Sequence, residues 1–177
     1  GGELGFDYRG IHAPLRGIRL AMQGRHQVDN ACLAIAAREC LQDAGVAIGE
    51  DAVRTGLAQA CWEGRLERVG QRPDIYLDGA HNPAAARTLA AALREMRGSY
   101  RALVLVVGIL ADKDHAGILQ ELLPLADHVV VTKPQYERAL DASRLGELVG
   151  QLHGPRPITG SVEDAIRKAR EVASADD

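Results

Sequence analysis

The sequence predicts an α/β fold in which a mostly parallel sheet is flanked by helices. Strand-like and helix-like segments alternate from about residue 63 onward, the pattern of right-handed βαβ units. The run 102–107 is continuously apolar and rich in valine and leucine, as in strands buried on both faces. Aromatic residues make up only 3% of the 177 residues. The core must therefore be built from alanine, valine, leucine and isoleucine, which suits helices packed on a buried sheet.

The first 62 residues are predicted to form a unit of their own. Glycine-rich residues 1–25 contain an alternating apolar stretch, which predicts a strand or hairpin that ends at Gly24. A helix is predicted from Val28 to a stop at Gly45, and a second helix follows Gly49. The apolar stripe of the second helix has helical spacing. It comprises Val53, Gly56, Leu57, Ala60 and Cys61.

Residues 63–177 are predicted to form the α/β domain. Four strands are expected at 66–69, 74–77, 102–107 and 128–132. The helices between and after them have apolar stripes at Leu89, Leu93 and Met96, at Ile118, Leu119, Leu122 and Leu123, and at Leu145, Leu148, Val149 and Leu152. A last helix opens with a capping box, Ser161 to Asp164. The alternation calls for one more strand after Asp177, so the domain is expected to lack its last strand.

Composition narrows the class of protein. There are 24 acidic and 21 basic side chains, a net charge of −3, and no basic cluster, which disfavours nucleic acid as a partner. No apolar run is long enough to cross a bilayer and no signal-like segment is seen, so we expect a cytoplasmic protein that binds no membrane. The chain begins without methionine, which suggests a fragment. The three cysteines match no metal motif and are expected to be buried apolar residues.

The most informative segment is Leu77-Asp78-Gly79-Ala80-His81-Asn82-Pro83. Asn82 and Pro83 are explained by a helix start, as N-cap and first helical residue. Asp78 leaves an apolar strand without an evident capping role, which makes it a candidate for binding a ribose hydroxyl or a metal-bound water. His81 places an imidazole at the same edge of the sheet, where ligands of parallel sheets bind.

Two further segments carry candidate residues with weaker signals. In Gly24-Arg25-His26-Gln27-Val28-Asp29-Asn30-Ala31, either Asp29 or Asn30 can be read equally well as a helix-cap residue or as a ligand-binding residue. Arg65 lies between the two predicted units, where a guanidinium could reach a phosphate. By itself it does not distinguish a binding site from a solvated surface.

The combination of these segments resembles a known family. GRHQxxNA, WxGRLE, LDGAHNP and a strand ending in Gly108 before Asp112-Lys113-Asp114 occur here in an order and at spacings similar to the folylpolyglutamate synthase/dihydrofolate synthase branch of the Mur ligase family. The resemblance covers essentially the whole chain. It implies that residues 1–62 are the helical tail of a central ATPase domain and that 63–177 form a Rossmann-like C-terminal domain.

The resemblance also implies an activity and site residues. Members of this branch are ATP-dependent ligases that activate a folate or pteroate carboxylate as an acyl phosphate, which the amine of L-glutamate then attacks. By the same resemblance Asn30, Arg65 and Asp78 bind ATP, and His81 is a catalytic residue near glutamate and the nucleotide. Asp112 and Lys113 match a DKD element without a definite role. The expected partners are ATP, Mg²⁺, L-glutamate and a folate or dihydropteroate, and the complete enzyme is expected to be a monomer.

Two features limit this reading. The GxxxxGK[ST] phosphate-binding loop does not occur in the sequence, and the resemblance places the magnesium ligands upstream of residue 1. We therefore expect residues 1–177 alone to be inactive and to hold no metal. The alternatives are another Mur-type ligase, acting on a cell-wall precursor or on cyanophycin, and a stand-alone Rossmann-like nucleotide-binding module.

Overall fold

The computed structural model describes residues 4–153 and 158–173 and confirms the predicted α/β fold. The chain divides into two compact units, Gly1–Glu67 (unit 1) and Arg68–Asp177 (unit 2). Within the described ranges, none of the helices combines the length and apolar character needed to span a membrane.

Unit 1 is an antiparallel hairpin covered by two helices. Its elements are β1 (Leu4–Tyr8), β2 (Leu15–Leu20), α1 (Arg25–Asp43) and α2 (Glu50–Gln59). The hairpin is confirmed, with Leu4 paired to Leu20 and Tyr8 to Leu15. The apolar core comprises Tyr8, Leu15, Ile18 and Ile35, with Phe6, Cys32, Ala36, Val53 and Leu57 at its margin.

The helix boundaries of unit 1 differ from those predicted. α1 begins at Arg25, three residues before the predicted Val28, because Gly24 adopts a φ of 92° as its N-cap. Gly45, with a φ of 90°, follows the end of α1 as expected. The stripe predicted for the second helix is too long, because α2 ends at Gln59 and Ala60 and Cys61 lie beyond it.

A buried carboxylate ties the hairpin of unit 1 to α1. Glu39 is only 2% exposed and accepts hydrogen bonds from the Tyr8 hydroxyl at 2.9 Å and from the N–H groups of Ile11 and His12 at 3.0 and 3.1 Å. Burial alone would raise the pKa of Glu39, but these three donors favour the charged form and hold its pKa below the ordinary value. Gly10 completes the packing, because a Cβ there would clash with Glu39 Oε2.

Unit 2 alternates strands and helices. Its elements are β3 (Glu67–Gly70, beginning at the unit boundary), β4 (Ile75–Leu77), α3 (Pro83–Glu95), β5 (Val104–Val107), α4 (His115–Leu122), β6 (His128–Val131), α5 (Ala142–His153) and α6 (Val162–Val172). β5 and β6 pair in parallel from Val104–His128 to Val107–Val131, and a parallel bridge joins Val131 to Ile158. β3 and β4 pair with each other rather than with β5.

The core of unit 2 lies between the parallel strands and helices α3, α4 and α5. Its buried members include Ala86, Ala90, Val107, Ile118, Leu119, Leu122, Val129, Val131, Leu145 and Val149. The prediction that the run 102–107 forms a strand buried on both faces is wrong for most of β5, because Val107 is buried but Val104, Leu105 and Val106 are only half-buried. Over the described ranges β5 pairs with β6 alone. Its other edge is therefore not covered by a strand, as it would be in the middle of a sheet.

The last helix confirms the serine cap of the predicted capping box, while the acid reaches back to the serine hydroxyl. Ser161 Oγ accepts from the Asp164 N–H at 3.1 Å and donates to Asp164 Oδ2 at 2.9 Å. Hydrogen bonds from Arg167 and Ser161 hold the pKa of Asp164 below its ordinary value.

The expectation that all three cysteines are buried is wrong. Cys32 is half-buried, and Cys40 and Cys61 are exposed. Cys61 is exposed because it lies beyond the end of α2, and Cys40 because it lies on the outer face of α1.

Candidate functional site

The segment between β4 and α3 is a short loop held by its own hydrogen bonds. The Ala80 N–H donates to Asp78 Oδ1 at 2.8 Å, which closes an Asx turn directly after the strand. Asp78 caps no helix, as expected, but the chain turns so soon after Leu77 that a backbone donor reaches its carboxylate. Asp78 is nevertheless exposed, as is His81 in the same loop.

The imidazole of His81 is oriented by the backbone. Nδ1 lies 2.9 Å from the carbonyl oxygen of Gly79. A carbonyl can only accept, so Nδ1 carries the hydrogen in this contact, and in the neutral ring Nε2 carries the lone pair. His81 therefore presents a basic nitrogen on the side of the ring away from Gly79.

The loop ends at a capped helix, as predicted. Asn82 Oδ1 accepts from the Ala85 N–H at 2.9 Å and Pro83 occupies the first turn of α3. This helix start lies against the start of α4, because a Cβ on Gly117 would lie 2.6 Å from Pro83 Cγ. The loops that follow β4 and β5 therefore emerge side by side, each ending at the positive end of a helix.

The Asp112-Lys113-Asp114 segment divides into a structural and an exposed part. Asp114 is the N-cap of α4 and accepts from the Gly117 N–H at 2.9 Å. Asp112 is exposed, and its Oδ2 lies 3.7 Å from Lys113 Nζ and 3.3 Å from Arg138 Nη1. Asp114 is therefore explained by capping, and Asp112 and Lys113 are still without a definite role.

Sequence reasoning missed Arg138, which brings the loop after β6 to the loop after β5. The Arg138 guanidinium lies 5.4 Å from the ring centroid of Tyr136, and its Nη1 donates to Asp112 Oδ2 at 3.3 Å. The two loops are also joined by the backbone, through Ala111 N–H to the Arg138 carbonyl at 2.8 Å. The sequence did contain a signal for Arg138, because polar residues follow the strand at 128–131. Ligands of parallel sheets bind beyond the carboxyl ends of strands.

Asn30 lies in the second turn of α1 and is exposed. Its Nδ2 donates to Oε1 of Gln27, a buried side chain, at 3.0 Å. The reading of Asn30 as a helix cap is wrong, because the N-cap of α1 is Gly24. Gln27 orients the carboxamide instead, so that its oxygen is available as an acceptor on the surface.

Arg65 is exposed in a tight turn before β3. Gly64 and Leu66, on either side, have positive φ angles of 66° and 45°. A left-handed conformation costs a bulky residue about 1–3 kcal/mol and persists only where packing imposes it. Leu66 is 4% exposed, so its burial holds the turn and leaves Arg65 outside. The guanidinium makes no hydrogen bond or ion pair with any described residue.

The four predicted site residues fall in both units. Asp78 and His81 share one exposed loop of unit 2, while Asn30 and Arg65 belong to unit 1 and are not joined by any hydrogen bond in the described ranges. That Asp78 and His81 bind ligands at this edge of the sheet is still a prediction. Within residues 4–153 and 158–173, no cluster of three or more His, Cys, Asp or Glu side chains could hold a metal ion.

Comparison with known proteins gives the family. Residues 64–177 match the family model described as Mur ligase, glutamate ligase domain, which is more than half of the chain. The chain belongs to the Mur ligase family. The resemblance proposed from GRHQxxNA, WxGRLE and LDGAHNP is therefore confirmed.

Individual relatives match the chain across both units. The dihydrofolate synthase/folylpolyglutamate synthase of Mycobacterium tuberculosis is 38% identical over 177 residues, which cover 99% of this chain and 36% of that protein. The structure of M. tuberculosis folylpolyglutamate synthase complexed with ADP superposes with a TM-score of 0.88 at 38% identity, over 95% of this chain and 37% of the other.

A third match is a bifunctional folylpolyglutamate synthase/dihydrofolate synthase solved with Mn, AMPPNP and L-glutamate bound. It has a TM-score of 0.80 at 29% identity, over 98% of this chain and 40% of that one. The chain thus spans little more than a third of the length of these relatives.

Proposed function

We propose that this chain is the C-terminal part of an ATP-dependent ligase that joins L-glutamate to dihydropteroate or to a folate, including folates that already carry glutamate. The observation that carries the proposal is the match of nearly the whole chain, at 38% identity, to a dihydrofolate synthase/folylpolyglutamate synthase. The loop from Asp78 to Asn82 supports it, since it lies within the segment matched by the glutamate ligase domain and presents an oriented imidazole.

In this proposal Arg65, Asp78 and Asn30 bind ATP. The guanidinium of Arg65 has the donors and the charge to pair with a phosphate, and no described residue neutralises it. The Asp78 carboxylate can accept from a ribose hydroxyl while Oδ1 stays in its turn. The Asn30 carboxamide, oriented by Gln27, can accept from a donor on the nucleotide.

The proposed reaction has two steps. A carboxylate oxygen of the folate attacks the γ-phosphorus of ATP, ADP leaves, and an acyl phosphate forms. The neutral amine of glutamate then attacks the acyl carbon, the C–N bond forms, the bond from that carbon to the phosphate oxygen breaks, and inorganic phosphate leaves with the second proton of the amine. Glutamate arrives as an ammonium ion and must lose a proton before it attacks, and we assign the acceptance of that proton to Nε2 of His81, whose lone pair the Gly79 carbonyl sets.

Magnesium is expected for such a ligase because it neutralises charge on the transferred phosphoryl group. The described residues do not fit a magnesium site, since they contain no cluster of three or more suitable side chains. No step is therefore assigned to a metal held by this chain, and the ligands are expected outside residues 1–177.

We also propose that the complete enzyme is a cytoplasmic monomer whose partners are small molecules. The net charge of −3 and the absence of a basic cluster in the sequence support partners other than nucleic acid. Light scattering of the complete protein tests the monomer directly.

Arg65 provides the test of the proposed function. In the complete protein, Arg65→Ala should lower kcat/KM for ATP by about 10- to 100-fold, because a hydrogen bond to a charged group contributes about 1.5–3 kcal/mol. The free energy of unfolding should change by no more than roughly 0.5 kcal/mol, since the side chain is exposed. Phosphate release with dihydropteroate and L-glutamate measures the first effect, and urea unfolding measures the second.

Arg16→Ala is the matched control, because Arg16 is another exposed arginine of unit 1. It should leave ATP use unchanged. An equal loss of stability and turnover in Arg65→Ala would indicate a structural role for Arg65. Turnover with a cell-wall precursor but not with dihydropteroate or folates would reject the folate assignment in favour of another Mur-type ligase.

A further inference from the structure

Beyond the parallel strands, the loops after β5 and β6 pair with each other as a short antiparallel ladder. The Ala111 N–H donates to the Arg138 carbonyl at 2.8 Å, and Leu110 and Ala139 form an antiparallel bridge. The Lys113 N–H then donates to the Leu110 carbonyl at 3.2 Å, which turns the chain directly after the ladder. The backbones of the two loops are thus held in a fixed register, with Arg138 in one and Lys113 in the other.

Asp112 lies between two cations at this ladder. Its Oδ2 accepts from Arg138 Nη1 at 3.3 Å but lies 3.7 Å from Lys113 Nζ, which makes no hydrogen bond with a described residue. Asp114, the next acid along the chain, is occupied as the N-cap of α4. Two cations therefore share one carboxylate, and the shorter contact pairs it with Arg138. The Lys113 ammonium keeps its donors for another anion.

Lys113 belongs to the loop that lies beside the loop of His81. The contact between Gly117 and Pro83 brings the starts of α4 and α3 together, and Lys113 precedes Gly117 by four residues. In the proposed reaction His81 accepts a proton from the amine of L-glutamate, whose two carboxylates are negatively charged. A partly exposed ammonium in the neighbouring loop has the charge and the donors to bind one of these carboxylates.

We propose that Arg138 is a positioning residue that keeps the Lys113 ammonium available for a carboxylate of the incoming L-glutamate by taking up the charge of Asp112. The inference rests on the proposed ligase function. Without Arg138, the Asp112 carboxylate pairs with Lys113, because a small rotation of either side chain closes the gap of 3.7 Å. Glutamate then has to displace Asp112 before it can bind the ammonium.

Steady-state kinetics of the complete protein tests the proposal through KM for L-glutamate. Arg138→Gln should raise this KM about two- to fivefold, the range expected for competition by an exposed ion pair, and leave kcat and the KM for ATP unchanged. Arg138→Lys should stay close to the wild type, because an ammonium can also pair with Asp112. Arg144→Gln is the matched control, since it removes another exposed, ion-paired arginine of unit 2, and it should change none of these constants.

A double variant separates the charge of Arg138 from support of the loop. Asp112→Asn combined with Arg138→Gln should return the KM for L-glutamate to the wild-type value, because no carboxylate is left to neutralise Lys113. If Arg138 only supported the loop, or contacted glutamate itself, removing Asp112 as well would not restore binding. A KM that stays high in the double variant would overturn the proposal, as would an unchanged KM in Arg138→Gln.

Acylation of lysines gives a readout that does not depend on catalysis. The complete protein is treated with a limiting amount of an acetyl N-hydroxysuccinimide ester at low ionic strength, and modification is followed by peptide mass spectrometry. An ion-paired ammonium loses its proton less readily, so Arg138→Gln should slow acylation of Lys113 about two- to fivefold, and the double variant should restore it. Lys133, in the loop after β6, has no ion pair with a described residue and serves as the internal standard.

The two readouts distinguish failure of this inference from failure of the proposed function. Wild-type turnover with L-glutamate, together with equal acylation of Lys113 in the wild type and Arg138→Gln, would overturn the role of Arg138 and leave the ligase activity untouched. Absence of glutamate-dependent turnover in the complete wild-type protein would overturn the proposed function, and the role of Arg138 in binding glutamate with it.

Discussion

At the scale of single residues, Asp78 combines two properties that substitution can separate. One carboxylate oxygen closes the turn after β4 by accepting from the Ala80 N–H, and the negative charge is the property proposed to bind the nucleotide. Asparagine keeps an acceptor oxygen at the same position but removes the charge. Alanine removes both.

We predict that Asp78→Asn folds normally but binds ATP more weakly in the complete protein. Its free energy of unfolding should stay within roughly 0.5 kcal/mol of the wild type, whereas Asp78→Ala should lose about 0.5–1.5 kcal/mol with the turn hydrogen bond. Isothermal calorimetry with ATP and urea unfolding give the two quantities. If Asp78→Asn binds ATP with wild-type affinity, the charge of Asp78 has no part in nucleotide binding and the residue only closes the turn.

Glu39 makes the stability of unit 1 depend on pH. Its folded-state pKa lies below the ordinary value because the Tyr8 hydroxyl and two backbone N–H groups bind the carboxylate. A carboxylate with a lowered pKa contributes stability that is fully present above its unfolded pKa, about 4.3, and is lost as the pH falls through the lower folded value. Unit 1 should therefore weaken below about pH 4.5.

The expected measurement is a series of urea midpoints from pH 7 to pH 3, followed by circular dichroism. Glu39→Gln should have a lower midpoint at pH 7 and a shallower decline with acid, because the titrating group is gone. Glu63→Gln, at an exposed carboxylate of the same unit, should follow the wild-type curve. A Glu39→Gln curve parallel to that of the wild type would assign the acid sensitivity to other carboxylates.

At the scale of elements, the ends of β5 and β6 meet at a glycine. A Cβ on Gly108, just after β5, would lie 2.7 Å from Cδ of Pro134 and 3.0 Å from the carbonyl oxygen of Thr132, both in the segment after β6. The two strands can converge at this edge only because position 108 has no side chain. Gly150 in α5 is the opposite case, since a Cβ there would meet nothing within 4 Å.

We predict opposite effects for alanine at these two glycines. Gly108→Ala should lower the free energy of unfolding by about 1–3 kcal/mol through overpacking. Gly150→Ala should raise it by roughly 0.5–1 kcal/mol, because alanine favours the helix and finds open space. Urea unfolding of both variants checks the contrast. If Gly108→Ala leaves the free energy of unfolding unchanged, the loop after β6 can move aside to accommodate the added methyl group.

At the scale of the whole molecule, the chain holds only part of what an ATP-dependent ligase needs. Such an enzyme holds the β- and γ-phosphates with backbone N–H groups and a lysine beside them, and it binds magnesium. The sequence has no GxxxxGK[ST] loop, and the described residues offer no metal cluster. The residues proposed to bind ATP, Arg65, Asn30 and Asp78, would not replace these groups.

We therefore predict that residues 1–177 alone form no amide bond. With dihydropteroate, L-glutamate, ATP and magnesium, phosphate release should equal that of a protein-free control, and ATP should bind far more weakly than to the complete enzyme. The complete enzyme under the same conditions is the positive control. Turnover by 1–177 would place the catalytic machinery within this chain.

Local patterns in the sequence were sufficient for the fold class, for most elements and for the family. Apolar periodicity and capping residues act over one or two turns of chain, so the hairpin, the Asn82 cap and the Ser161 capping box could be predicted. The motifs around Arg65 and Asp78 predicted the family that residues 64–177 match. The boundary placed after residue 62 and the roles of the site residues are still predictions.

Tertiary structure decided the features that depend on residues far apart in the chain. The contact between Arg138 and Asp112 spans 26 residues, and the three donors that hold Glu39 come from a hairpin 27 to 31 residues away. The exposure of Leu33 and Cys40 likewise depends on which face of α1 the hairpin covers. A local pattern shows that a helix forms and which residues are apolar, but only the packing of distant segments determines which of its faces is buried.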